Sequence, residues 1–395
     1  MAMSGKALVA GVGMIAFSKP GRSEAYDLMG AQAVLAAVAD AGVAYDEVQQ
    51  AYVGYVYADS SAGQAALYHV GMSGVPIVNV NNNCATGSTA LFLARQAVES
   101  GEVDVALALG FDQMTPGALG FAYGDRTAPL QRVTDEAVRL QGESPAPLAA
   151  QLFGGAGADY QSRYGTPDAT FGKIAEKARR HAANNPLALF RDPLSLEEIM
   201  NSPKLFGPLT RFQACPPTCG AAAAIVVSPA YAKRHGLSGC VEIAAQALTT
   251  DRANSFDGDG MIGLVGYDMT VRAASRVYEK AGVGPEDIQV VELHDCFSSN
   301  ELLSYEALGL TSAGTAERFI EDGDNTYGGR FVVNPSGGLL SKGHPLGATG
   351  LAQCYEMVNQ VRGKAEARQV EGVRHALQHN LGLGGACVVT LYRAA

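Results

Sequence analysis

The chain has no tryptophan among its 395 residues, few charged residues (17%) and fewer cations than anions. Its 29 Lys and Arg stand against 39 Asp and Glu, for a formal net charge of -10. That balance excludes a general nucleic-acid binder, because neutralising phosphates takes clustered Lys and Arg. A small basic patch for one phosphorylated ligand is still compatible with it. No apolar run reaches the roughly 18 residues of a spanning helix, so no membrane span is expected. Seven cysteines at irregular spacing do not make a disulfide framework; they fit reduced thiols in a cytoplasmic protein. Residues 1–17 are apolar but lack a signal peptide's order of basic, apolar and small regions. From Lys6 onward they read as a first buried strand. The terminal Leu-Tyr-Arg-Ala-Ala is not a peroxisomal address. What is present is ample apolar sequence, 47% of the chain, enough for one large core or two moderate ones.

Self-comparison finds a duplication. Ala41-Gly-Val-Ala-Tyr-Asp-Glu-Val-Gln recurs as Ala281-Gly-Val-Gly-Pro-Glu-Asp-Ile-Gln, and Cys84-Ala-Thr-Gly-Ser-Thr-Ala-Leu as His344-Pro-Leu-Gly-Ala-Thr-Gly-Leu. Gly87 then aligns with Gly347, Thr89 with Thr349 and Leu91 with Leu351. Two matches in the same order imply two halves of one α/β architecture. Local signals agree: short strands at 75–79 and 331–334, a helix over 85–100 closed by Gly101, and a strand at 103–109. Strand, helix, strand makes a right-handed parallel unit, whose ligands gather at strand ends near helix N-termini. Cys84 and His344 would occupy equivalent places, face to face across a pseudo-two-fold. The segment 115–214 fits neither repeat and reads as an inserted loop domain, the natural place for a lid or substrate groove. The domains are therefore expected at 1–114 with 215–235, at 115–214, and at 236–395.

Several residues could carry chemistry. Cys84 follows an Asn-rich run and precedes a helix, where the macrodipole favours thiolate. Buried Asn side chains need partners, so that run suggests a built loop. Pro345 restricts the backbone at His344, as a positioned base requires. His294 and Cys296, two apart after an apolar strand, can point into one crevice; a capped helix start with an incidental cysteine fits equally. The glycine clusters after Asn334 and Asn380 are not phosphate loops. They fit either close backbone approach to a ligand, with amides free for an oxyanion, or tight sheet turns. Cys215-Pro-Pro-Thr-Cys219 has a metal spacing but no second ligand pair, so no metal site is expected. Cys240, Cys354 and Cys387 read as core.

Four motifs together resemble the catalytic loops of the thiolase superfamily: Asn81-Asn-Asn-Cys-Ala-Thr-Gly-Ser, His294-Asp-Cys-Phe, Lys342-Gly-His-Pro-Leu-Gly-Ala-Thr-Gly and Gln378-His-Asn-Leu-Gly-Leu-Gly-Gly. More narrowly, they resemble the sterol carrier protein x and bacterial lipid-transfer-type thiolases, over nearly the whole chain. The resemblance implies two duplicated α/β domains in five layers plus a loop domain. It implies Cys84 as nucleophile, His344 as its base, Cys296 as acid and base, and His294 as stabiliser of the thioester enolate. Main-chain N–H groups of Cys84, Gly384 and Gly385 would hold the tetrahedral oxyanion. Better-known thiolases carry Asn-Glu-Ala-Phe where His294-Asp-Cys-Phe stands here, and keep the acid/base cysteine in a C-terminal Cys-x-Gly loop. Cys387 lies too far into the last strand to replace that cysteine; Cys296 takes its role in the sterol-carrier subgroup. No appended lipid-carrier domain is expected.

The activity so implied is thiolysis of 3-oxoacyl-CoA, with coenzyme A as substrate and no permanently bound cofactor. The alternatives are a retro-aldolase acting on β-hydroxyacyl-CoA with a small OB-fold partner, and a non-catalytic acyl-CoA binder. Retention of Cys84, Cys296 and both histidines favours thiolysis, since retro-aldol cleavage needs no acyl-cysteine. The resemblance also implies a homodimer or tetramer. Arg163, Arg179 and Arg180 are candidates for the CoA phosphates.

Overall fold

A computed structural model describes residues 5–115, 124–256, 258 and 260–395; residues 116–123 of the expected loop domain lie outside the described part. Ten strands form one sheet: β1 (Leu8–Met14), β2 (Gln50–Gly54), β3 (Ile77–Val80), β4 (Val105–Asp112), β5 (Gly220–Val227), β6 (Val241–Thr249), β7 (Val290–Glu292), β8 (Val332–Val333), β9 (His375–Gly382) and β10 (Ala386–Ala394). The seam is the short antiparallel pairing of β1 with β6, Leu8 opposite Glu242 and Val9 opposite Val241. Outward from it, one half runs β1, β5, β4, β2, β3 and the other β6, β10, β9, β7, β8. Both orders are first, fifth, fourth, second, third. In each half the inner two pairings are antiparallel and the outer two parallel. The sequence repeat is therefore a repeat of topology.

Local chemistry repeats with it. The helices Tyr26–Ala41 and Tyr267–Ala281 end at Gly42 and Gly282, with φ of 64° and 70°. That left-handed cap is the conformation glycine adopts without steric cost. Seven residues beyond each glycine stands an aligned glutamine with the same task. Gln49 Oε1 accepts the amides of Asp104 and Val105 (2.6 and 3.0 Å), and Gln289 Oε1 those of Arg374 and His375 (2.8 and 2.9 Å). Each glutamine thus ties its half's second strand to the entry of its fourth.

β5 is apolar at every position from Ala221 to Val227 because both of its faces are buried. Ala221, Ala223 and Ile225 join a core with Ala33, Val34 and Ala37 of the helix Tyr26–Ala41. Ala222, Ala224 and Val226 face Leu91 and Ala94 of the helix Thr86–Glu99 and Leu351 of the helix Leu346–Val361. The helix Tyr267–Ala281 covers β6 and β10 from the other side through Met269, Ala273 and Val277. The layers are helix, half-sheet, paired central helices, half-sheet, helix: the expected five.

The inserted segment holds the helices Gln131–Gln141, Leu148–Tyr164 and Asp168–Ala182. It packs on the second half, where Phe153 stacks on Phe297 (5.1 Å) and Lys177 makes a buried ion pair with Glu301. Among the described residues, no helix is long and apolar enough to cross a membrane.

Candidate active site

Cys84 stands between the end of β3 and the helix Thr86–Glu99, on a loop that its own asparagines tie down. Asn83 adopts φ 51°, a left-handed conformation that asparagine tolerates better than most residues. Asn82 gives its amide to the Thr86 hydroxyl (2.8 Å) and its side chain to that of Thr89 (3.0 Å). Asn83 reaches across to the Leu383 carbonyl (3.2 Å). Burial pushes the Cys84 thiol up to about 12, and the nearby Asp112 carboxylate adds to the rise. The backbone N–H groups of Cys84 and Leu383 act against it. The thiol itself donates to Asn83 Oδ1 (3.5 Å).

His344 precedes the helix Leu346–Val361 just as Cys84 precedes Thr86–Glu99. Its backbone amide donates to the Thr218 hydroxyl (3.1 Å), and Pro217 forms an isolated bridge with it. The ring is set by Thr349, the residue aligned with Thr89. Both threonines return their hydroxyl proton to the carbonyl four residues back: Thr89 to Ala85 (3.0 Å) and Thr349 to Pro345 (2.9 Å). A hydroxyl has one proton, so Thr349 Oγ1 can only accept from His344 Nδ1, 2.7 Å away. His344 therefore carries its proton on Nδ1. Its Nε2 is left as a buried nitrogen with no hydrogen-bond partner. Burial, with a smaller contribution from Lys342, lowers His344 to about 3, so the ring is neutral.

His294 and Cys296 follow β7, and both are buried. The rings of His294 and His344 meet edge to face at 5.1 Å. Side-chain atoms of Cys84, His294 and His344 all lie within 4.8 Å of one another. Asn380 Nδ2 lies 3.1 Å from His294 Nδ1. Burial and the neighbouring rings of His344 and His379 hold His294 well below the ordinary imidazole range. The Cys296 thiol is held well above the ordinary range by burial and by the thiols of Cys215 and Cys84.

Elsewhere the geometry changes the expectations. Gly385 donates its amide to the Gly382 carbonyl (3.3 Å), and the neighbouring Leu383 carbonyl receives the Asn83 side chain, so the loop of Gly384 and Gly385, expected to hold the oxyanion, lies beside Cys84. Both glycines turn the chain, with φ of 92° and 102°. Cys215, considered only as a metal ligand, runs alongside the site: its amide donates to the Cys296 carbonyl (2.8 Å) and Ala214 bridges Phe297. Arg179 is buried with its guanidinium 4.3 Å from the Phe190 ring centre, while Arg163 and Arg180 are exposed. Cys354 and Cys387 are fully buried, but Cys240, expected in the core, is only half-buried. Leu383 and Cys215 carry no local signal in the sequence; Thr349 did, through its alignment with Thr89.

Comparison with known proteins agrees with this architecture. The thiolase N-terminal domain model matches residues 8–192, and the thiolase C-terminal domain-like model matches residues 261–391. Sterol carrier protein 2 of Rattus norvegicus is 53% identical over 392 residues, spanning 98% of this chain and 72% of the rat protein. Benzoylsuccinyl-CoA thiolase subunit BbsB of Thauera aromatica is 36% identical over 392 residues, spanning 98% of this chain and 97% of the subunit. Among solved structures, the Ltp2-ChsH2(DUF35) aldolase superposes with a TM-score of 0.83 at 26% identity, covering 100% of this chain and 99% of that one. With matching domain models on both halves of a duplicated sheet, this chain belongs to the thiolase superfamily.

Proposed function

We propose that this thiolase-family acyltransferase cleaves 3-oxoacyl-CoA with free CoA, through an acyl group carried on Cys84. The observation that carries this reading is the bare, buried Nε2 of His344 in a cluster with Cys84 and His294. A neutral imidazole beside a neutral thiol is the resting state of a base and nucleophile that exchange a proton only when substrate arrives.

In this scheme His344 Nε2 takes the Cys84 proton and the sulfur bonds to the 3-keto carbon. The carbonyl oxygen becomes an oxyanion held by the main-chain N–H groups of Cys84 and of the loop at Gly384 and Gly385. The bond between the α and β carbons then breaks, leaving the acyl group on Cys84 and its electron pair on the thioester enolate. An N–H of His294 stabilises the enolate oxygen, and the Cys296 thiol protonates the α carbon to release acetyl-CoA or propionyl-CoA. The Cys296 thiolate next takes the proton of incoming CoA, whose sulfur attacks the acyl-cysteine; the bond to Cys84 breaks, the shortened acyl-CoA leaves, and the Cys84 thiolate takes back its proton from His344. Both thiols begin protonated, as their buried surroundings favour, and each ionises only in its own step.

The test is consumption of acetoacetyl-CoA or a longer 3-oxoacyl-CoA in the presence of CoA, with Cys84→Ala and Cys296→Ala in parallel. CoA-dependent cleavage lost in both variants is the expected result. A second reading, retro-aldol cleavage of a β-hydroxyacyl-CoA with an OB-fold partner, is favoured by the likeness to the Ltp2-ChsH2(DUF35) aldolase. It would show as cleavage that needs no CoA and survives Cys84→Ala. Self-association fits the outer position of β3, an edge strand among the described residues that carries exposed Val78, with exposed Met72 just before it.

A further inference from the structure

We propose that Gln378, Ser88 and Asn380 form a positioning chain that holds His294 with its proton on Nε2, the opposite tautomer to His344. One imidazole then offers N–H to the substrate oxygen while its neighbour offers a lone pair to Cys84. The assignment deepens the thiolytic reading and rests on it for the meaning of the donor, though not for the tautomer itself.

The chain of deduction starts from a backbone carbonyl, which can only accept. Gln378 Nε2 lies 2.7 Å from the Gly350 carbonyl, so this end of the side chain is the amide nitrogen. Its oxygen end takes the Tyr392 hydroxyl. The second proton on Nε2 goes to Ser88 Oγ at 2.9 Å, well inside the 3.4 Å to Gln353 Oε1. Ser88, already accepting, passes its single proton to Asn380 Oδ1 at 2.8 Å. That fixes which way the Asn380 amide faces, and its Nδ2 donates to His294 Nδ1 at 3.1 Å. A neutral imidazole that accepts on Nδ1 must carry its proton on Nε2. Every member is buried, so water has no access to reverse an orientation.

The two halves of the molecule supply different parts. Ser88 lies on the helix after Cys84, while Gln378 and Asn380 lie on β9, 290 and 292 residues away. The titratable groups acting on His294 are the rings of His344 and His379, and burial lowers both to about 3, so both are neutral. With both rings neutral in the resting site, the position of one proton decides whether His294 presents a donor or a lone pair to the substrate oxygen.

Nitrogen NMR of the full chain labelled on histidine reads the tautomer directly, with the His294 signals assigned by their loss in His294→Asn. The expected spectrum has a protonated Nε2 and a bare Nδ1. Asn380→Asp sets an acceptor against Nδ1 and draws the proton there. With 3-oxoacyl-CoA and CoA, this variant is expected to lose about 10²- to 10³-fold in kcat, the scale of one oxyanion donor, with KM within about threefold. Alkylation of Cys84 by iodoacetamide, which uses His344 and not His294, should be unchanged. Ser88→Ala releases the Asn380 amide and should lower kcat in the same direction by less. A parent spectrum with Nδ1 protonated overturns the proposal, as do Asn380→Asp and Ser88→Ala variants that both keep kcat. A parent that shows protonated Nε2 but cleaves no 3-oxoacyl-CoA would uphold the tautomer and sink the thiolytic reading.

Discussion

Gly87 and Gly347 face each other at the first turns of the two central helices, so closely that a Cβ on Gly87 would lie 2.6 Å from the Gly347 carbonyl oxygen. These are the two glycines that the internal repeat aligns. Their contact brings the loops bearing Cys84 and His344 together, because each residue stands three positions before its glycine. A Cβ on Gly347 would lie 2.4 Å from the Phe111 carbonyl oxygen and 2.8 Å from that of Gly54.

Gly347→Ala should therefore be strongly destabilising. Backbone atoms on both sides cannot yield as a flexible side chain would. The expected loss is about 3 kcal/mol or more, the upper range for overpacking, read as a lowered urea midpoint. A midpoint within error of the parent would show that the central helices can part without cost.

The resting state of Cys84 can be read by alkylation. With the thiol pushed up to about 12 and His344 lowered to about 3, thiol and imidazole are both neutral across the accessible range. The iodoacetamide rate should be flat between about pH 6 and about pH 9, because neutral His344 takes the thiol proton as the sulfur reacts. A rate that rises roughly tenfold per pH unit would instead show that Cys84 ionises without His344.

Thr349→Val keeps the shape and removes the acceptor of the His344 Nδ1 proton. The ring would then be free to change tautomer and place N–H, not a lone pair, toward Cys84. Activity should fall about 10²-fold, within the range that general bases contribute, and Cys84 alkylation should slow with it. Loss of activity with alkylation unchanged would show that Thr349 acts elsewhere than on the base.

Asp112 accepts the amides of Val56 (2.9 Å) and Tyr57 (2.8 Å) on one oxygen and that of Gly347 on the other. Burial raises its carboxyl to about 6 despite these bonds. The fold then binds this proton more tightly than the unfolded chain does. Its stabilising contribution is full below the ordinary carboxyl range and is lost as pH rises through about 6. Asp112→Asn removes that slope and sets an NH2 against one of the three amides. At neutral pH it should cost about 1–3 kcal/mol, the penalty for an unmatched buried donor, in urea unfolding. An unchanged midpoint would mean that the amides find other acceptors.

The division of labour between sequence and tertiary structure follows the range of the interactions. Features set within a few residues were legible: the helix beginning after Cys84 and its close at Gly101, and the repeated Ala-Gly pairs that carry the left-handed caps at Gly42 and Gly282. The repeat made the symmetric pairing of Cys84 with His344 legible too, since duplicated elements occupy duplicated places in one sheet. Glycine content alone did not show where the β9–β10 turn lands, beside a loop some 300 residues away whose Asn83 side chain donates to the Leu383 carbonyl. Cys215 carries no local sign of its place beside Cys296, which an isolated bridge across the fold decides. The sequence by itself thus determined the duplicated architecture and the residue types at the site, because helix caps and apolar runs are short-range. The tertiary structure decided which loops meet around Cys84 and which nitrogen of each histidine holds its proton. Those depend on single hydrogen bonds between segments that only folding brings into contact.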